Sequence, residues 1–94
     1  MKLENVIEKI NNNNGVVDVQ LETEGVRSYY IFKGECECGI NGADGVLYIT
    51  KDDSSAILNI SHIYDFQITD ESDDEYEQIV LDNGSVKLCL IFVC

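Results

Sequence analysis

A chain of 94 residues with 18 acids, six bases and a formal net charge of −12 at pH 7 has room for one domain, residues 1–94, and one hydrophobic core. Its 45% hydrophobic content excludes a globally disordered polyanion. The bases Lys2, Lys9, Arg27, Lys33, Lys51 and Lys87 are scattered singly, which argues against direct binding to nucleic acid or to an anionic membrane, and leaves a basic protein surface as the electrostatically compatible partner.

Leu3, Val6, Ile7 and Ile10 recur at helical spacing and predict an amphipathic N-terminal helix. Glu4 and Glu8 lie near its N-terminal end, where negative charge is favourable. "NNNNG" (Asn11 to Gly15) should end it as a frayed terminus. From there the period becomes two. Val17, Val19 and Leu21 alternate with Asp18, Gln20 and Glu22, a half-buried strand, and Glu24-Gly25 supplies a turn. "VRSYYIFKGECEC" then reads as one long strand with Tyr30, Phe32, Cys36 and Cys38 inward and a bend or bulge at Gly34.

"GINGADG" (Gly39 to Gly45) is a glycine-rich loop, "VLYIT" a short strand and "KDDSS" the next turn. "AILNISHIYDFQIT" places Leu58, Ile60, His62, Tyr64, Phe66 and Ile68 on one face of a strand. The acidic run "DESDDEYE" (Asp70 to Glu77) follows. "QIVLDNGSVKLCLIFVC" closes the chain as a hairpin turning at Asn83-Gly84. Short connections favour antiparallel meander pairing. The expected fold is mainly β: a small antiparallel barrel or strongly curled sheet of about six strands with one N-terminal helix.

The order of helix, "VVDVQLETEG", "YYIFKGECECGIN", "GVLYITKDD" and "AILNISHIYDF" resembles the layout of Sm/Hfq-like or SH3-like small β-barrels over roughly Leu3 to Ile68. The resemblance is one of layout, without a specific motif. It implies a barrel to which the final hairpin is an addition. Sm-like proteins bind RNA as rings through loop Asp and Asn residues, for which Asp44 and Asn59 are the nearest counterparts. The acidic balance opposes that activity.

The first ten residues contain Lys2, Glu4, Glu8 and Lys9 and no apolar leader core, and no apolar run reaches transmembrane length. The expectation is a cytoplasmic protein with its four cysteines reduced. Cys36, Cys38, Cys89 and Cys94 are poorly spaced for structural zinc: an extended C-x-C pair splays its sulfurs, and Cys89 and Cys94 face opposite sides of a regular strand. Buried hydrophobic thiols are the simpler use, with a cross-strand contact between Cys38 and Cys89 left open. His62, the only histidine, is expected on the apolar face beside Ile60 and Tyr64. A Cys–His nucleophilic pair would need a basic environment that no thiol here has. "GINGADG" lacks the Lys-Ser/Thr of a phosphate loop. "DESDDEYE" lacks the sixth-position glycine of a calcium loop. No catalytic residue, cofactor or metal is therefore implied.

Two uses remain for Asp70, Glu71, Asp73, Asp74, Glu75 and Glu77, with Glu35, Glu37, Asp52 and Asp53 as further contributors. One is a partner-binding face for a basic protein. In its sharpest form it mimics nucleic acid and inhibits, as small acidic phage anti-defence proteins of similar size and charge do. The other is a solvated, mobile connection that resists edge pairing. The alternative function is a self-associating barrel domain, a homo-oligomer with a structural or regulatory role.

Overall fold

The computed structural model describes residues 1–12, 16–33, 36–51 and 57–93. Helix α1 (Leu3–Asn12) forms on the apolar stripe. Val6 and Ile10 are fully buried, with Leu3 and Ile7 packed half-buried against the same core. Eight strands follow: β1 (Val16–Thr23), β2 (Val26–Lys33), β3 (Cys36–Asn41), β4 (Val46–Lys51), β5 (Ile57–Ile60), β6 (Gln67–Asp70), β7 (Glu77–Asp82) and β8 (Val86–Val93). They make two antiparallel sheets, ordered β2-β1-β8-β7-β6 and β3-β4-β5. The protein is thus mainly β with one helix, as its periodicities require. Where a small barrel or strongly curled sheet of about six strands was expected, the described residues form eight strands in two sheets and no closed barrel.

Two breaks in alternation account for the difference. "VRSYYIFKGECEC" is divided between β2 and β3, which belong to different sheets; Gly34 and Glu35 lie outside the described residues. "AILNISHIYDFQIT" is divided into β5, a 3₁₀ turn at Ile63–Asp65 and β6, which carries the chain from the small sheet back to the large one. His62 takes left-handed backbone angles at this corner (φ 55°, ψ 44°). That turn shifts the inward position to Ile63, which is buried, while His62 and Tyr64 are exposed. The expected apolar-face histidine is corrected accordingly. Leu58, Ile60 and Phe66 are buried as the pattern demands.

The core lies between the sheets. Val17 and Val19 of β1, Phe32 of β2, Ile79 and Leu81 of β7, and Leu88, Leu90 and Phe92 of β8 meet Cys38, Leu47, Ile49, Leu58 and Ile60 of the small sheet. Truncating any one of the buried leucines to alanine should cost about 2–5 kcal/mol. The C-terminal hairpin is no appendage. β8 is the middle strand of the large sheet, pairing with β1 from Val86 to Val93 and with β7 from Lys87 to Phe92.

Turn chemistry sets these registers. Glu24 (φ 49°) and Gly25 (φ 82°) both have positive φ, as the two central residues of a type I′ hairpin require, and Thr23 stands opposite Val26. In the β7–β8 turn the Asn83 N–H donates to the Val86 carbonyl at 3.1 Å. The central pair is therefore Gly84-Ser85, one residue later than expected, with Gly84 at φ 92°. Asn83 contributes its side chain instead, accepting from the N–H groups of Ser85 (2.9 Å) and Val86 (2.7 Å).

Helix α1 spans the two sheets. Asn11 Nδ2 donates to the Cys38 carbonyl (3.1 Å), and the Cys38 N–H donates to Asn11 Oδ1 (2.7 Å). The Cys36 thiol donates to the Ile10 carbonyl (3.7 Å). On the other side Lys9 pairs with Glu77 and lies 5.3 Å from the centre of the Phe92 ring. The asparagine run therefore begins as a latch on the edge of β3, beyond its expected role of ending the helix; Asn13, Asn14 and Gly15 lie outside the described residues. Among the described residues no helix is long and apolar enough to cross a membrane.

Candidate functional site

The acidic run is the tip of the β6–β7 hairpin. Asp70 closes β6 opposite Ile79. The ladder then continues, with Glu71 N–H donating to the Gln78 carbonyl (2.8 Å) and Asp73 N–H to the Tyr76 carbonyl (2.9 Å). Asp74 and Glu75 are left as the two residues at the turn. Asp73 Oδ1 accepts from the N–H groups of Glu75 and Tyr76, both at 2.8 Å. Asp70 Oδ1 accepts from the Ser72 hydroxyl (2.6 Å) and N–H (3.0 Å). The Ser72 oxygen in turn accepts from the Gln78 N–H (3.0 Å). Short-range carboxylate-to-backbone bonds of this kind make turns in Asp-rich sequence.

These bonds split the six candidate carboxylates by role. The Ser72 hydroxyl and then its N–H hold Asp70 below the usual carboxylate range. The N–H groups of Tyr76 and then Glu75 do the same for Asp73. Both are turn-forming residues. Glu77 is paired with Lys9. Glu71, Asp74 and Glu75 remain exposed, and among the described residues their carboxylates make no hydrogen bond or ion pair. The run is therefore hydrogen-bonded as the tip of a hairpin and exposed along its whole length.

Two further carboxylates join this surface. A shallow polar depression of about 490 Å³ on the outer side of β6 and β7 is bordered by Glu71, Asp65 and Asp82, and also by Lys87, which stands opposite Asp82. Asp65 comes from the 3₁₀ turn, and Asp82 stands opposite Gln67 at the other end of the hairpin. An acidic ridge therefore runs from the Asp74-Glu75 tip through Glu71 to Asp65 and Asp82. Sequence reading missed the last two residues. Once the hairpin is centred between Asp74 and Glu75, its register alone places Asp82 opposite Gln67. Glu37 lies on β3 of the other sheet. Glu35, Asp52 and Asp53 lie outside the described residues.

The thiols do not converge. Cys38 is buried in the core, and burial, followed by the neighbouring Cys36, pushes its thiol up to about 12. Cys89 lies on β8 in the other sheet and faces away from the core, 3.0 Å from Gln78 Nε2. Its pKa is raised, chiefly by burial. The contact between Cys38 and Cys89 left open above is thus ruled out by their placement on different sheets. Cys94 lies outside the described residues. Among those residues no group of three or more His, Cys, Asp or Glu side chains is arranged to hold a metal ion.

His62 borders a second depression with Leu21, Asn59, Ser61, Asn83 and Val86, and no cysteine lines it. Asp44 sits in the exposed turn between β3 and β4, and Asn59 on β5. The chain matches no known protein-family model, no curated protein and no solved structure.

Proposed function

We propose that this is a non-enzymatic binding protein that docks its acidic ridge on a basic protein surface. The observation that carries the reading is the division of labour in the hairpin: two carboxylates build the turn, and the turn presents the exposed Glu71, Asp74 and Glu75 to solvent. Carboxylates carried on an ordered turn complement a Lys/Arg groove without first ordering the backbone of a flexible loop, which lowers the entropic cost of binding. With a net charge of −12 it also steers a basic partner into encounter. A groove that otherwise holds a phosphate backbone is the sharpest match, which makes the protein a nucleic-acid mimic and an inhibitor. The expected setting is the cytoplasm.

A triple variant, Glu71→Gln/Asp74→Asn/Glu75→Gln, leaves the turn-forming Asp70 and Asp73 in place. Immobilised wild type should capture a nucleic-acid-binding protein at low salt, release it at high salt and lose it to competing duplex DNA. The triple variant should bind that protein at least about tenfold more weakly with unchanged circular dichroism. Equal binding by both proteins would refute the ridge as the docking surface.

A further inference from the structure

One carboxylate near the middle of the large sheet has no partner. Val17 and Val19 are buried in the core, so Asp18 between them projects from the outer face. Asp18 is half-buried. Its Oδ1 is shut off from water and accepts no hydrogen bond, the only such side-chain atom among the described residues. An acceptor in that state is destabilising until a donor reaches it. Among the described residues no cation pairs with it: Arg27 is held by Glu22 and Lys9 by Glu77.

Strand register shows what surrounds this group. Asp18 stands opposite Ile31 of β2 and Ile91 of β8. Ile91 stands opposite Gln78, whose carbonyl accepts from the Glu71 N–H. One row across the outer face therefore reads Ile31, Asp18, Ile91, Gln78, Glu71, with strands about 5 Å apart. The row leads from Asp18 to the acidic ridge. Ile31 (61%) is exposed, and so is Tyr29 (60%), opposite Gln20 in the neighbouring row. A carboxylate set among these side chains differs from those at the hairpin tip, because water competes less for it there.

We propose that Asp18 anchors the docking face by taking the guanidinium of one arginine on the basic partner, with the apolar neighbours of that arginine seated on Tyr29, Ile31 and Ile91. This rests on the reading that the ridge meets a basic protein, and it extends that contact across the sheet. Three observations select the occupant. The orphaned oxygen needs a donor. Its aliphatic and aromatic surroundings suit a donor that is planar and weakly hydrated, which is arginine rather than lysine. The shared row puts Asp18 and Glu71 on one face, so a single partner surface can meet both. A second copy offers only Arg27, the single arginine of the chain, which Glu22 already holds. The torsion that turns a carboxylate is soft and two-fold, so either oxygen can meet a donor arriving from solvent.

Titration of the isotope-labelled protein with two short peptides, followed by amide chemical shifts, tests this. One peptide carries an arginine flanked by valine and leucine on each side. The other replaces arginine with citrulline, its neutral isostere. The arginine peptide should shift the amides of Asp18, Ile31 and Ile91, and the citrulline peptide should bind at least about tenfold more weakly. Asp18→Asn should bind both peptides at the citrulline level. Its melting temperature should equal or exceed that of the wild type, because the free protein loses no bond at this position. The ridge is read separately: hexalysine should shift the Glu71, Asp74 and Glu75 amides in both the wild type and Asp18→Asn, so the anchor can fail while the ridge stands. Equal binding of the two peptides, wild-type binding by Asp18→Asn, or shifts confined to the hairpin tip would overturn the proposal. A lower melting temperature for Asp18→Asn would overturn it too, since the carboxylate would then serve the fold. So would shifts of the Asp18, Ile31 and Ile91 amides with protein concentration alone, which would make a second copy the occupant.

Discussion

Asn11 shows how much one polar side chain can contribute when its partners are fixed by the fold. It offers a donor and an acceptor, and both are used on the backbone of one residue, Cys38. This ties the last turn of α1 to β3 and satisfies backbone groups at an otherwise open edge. Asn11→Ala should lower the unfolding free energy by about 1–2 kcal/mol, the loss of two hydrogen bonds to partly buried groups. Urea denaturation would show this as a lower midpoint with an unchanged slope. The apolar stripe of α1 was legible because helical periodicity is local. The role of Asn11 was not, because its partner is 27 positions away. Gly39 was opaque for a similar reason. It lies directly opposite Tyr48, whose ring covers it so closely that an added Cβ would overlap the ring. Nothing in "GINGADG" distinguishes a glycine under an aromatic ring in a strand from one in a loop.

Among the elements, the β6–β7 hairpin couples charge to local structure. Asp70 and Asp73 have lowered pKa values because their ionised forms accept hydrogen bonds from the turn. The sign follows from linkage: such groups stabilise the fold above the ordinary Asp value near about 3.9, and the contribution is lost as pH falls through the lower folded values. Acidification also relieves the general repulsion among carboxylates, which acts in the opposite direction. Comparison with Asp70→Asn/Asp73→Asn separates the two effects. The melting temperature of the wild type should fall relative to that of the double variant between about pH 5 and pH 2. Parallel curves would show that neither carboxylate depends on its charge for the turn. The existence of a hairpin on either side of "DESDDEYE" was not legible, since dense like charge is ordinarily a sign of an unstructured connection. Its Asp-x-Ser and Asp-x-x-Tyr bonds were available in the sequence as turn chemistry, and only the pairing of Glu71 with Gln78 turns them into a hairpin.

At the scale of the molecule, a net charge of −12 on 94 residues opposes the compact state through self-repulsion. The Lys9–Glu77 and Arg27–Glu22 pairs offset little of it. The melting temperature of the wild type should therefore rise by several degrees between about 0.02 and 0.5 M NaCl, where the screening length shrinks to a few ångströms. A fall would mean that the ion pairs outweigh the repulsion. The local signals, read alone, settle a great deal: an amphipathic helix, alternating strands, hairpin turns at Glu24-Gly25 and near Gly84, a thoroughly acidic surface and a mainly β chain. They do so because side-chain periodicity and turn dihedrals depend on neighbours a few residues apart. The tertiary structure alone decided that β2 and β3 belong to different sheets, that β8 sits between β1 and β7, that Ile63 replaces His62 in the core, and which three of six carboxylates remain available. Each of those outcomes depends on which distant backbone groups find one another once two apolar faces are buried together, and short-range pattern carries no information about that pairing.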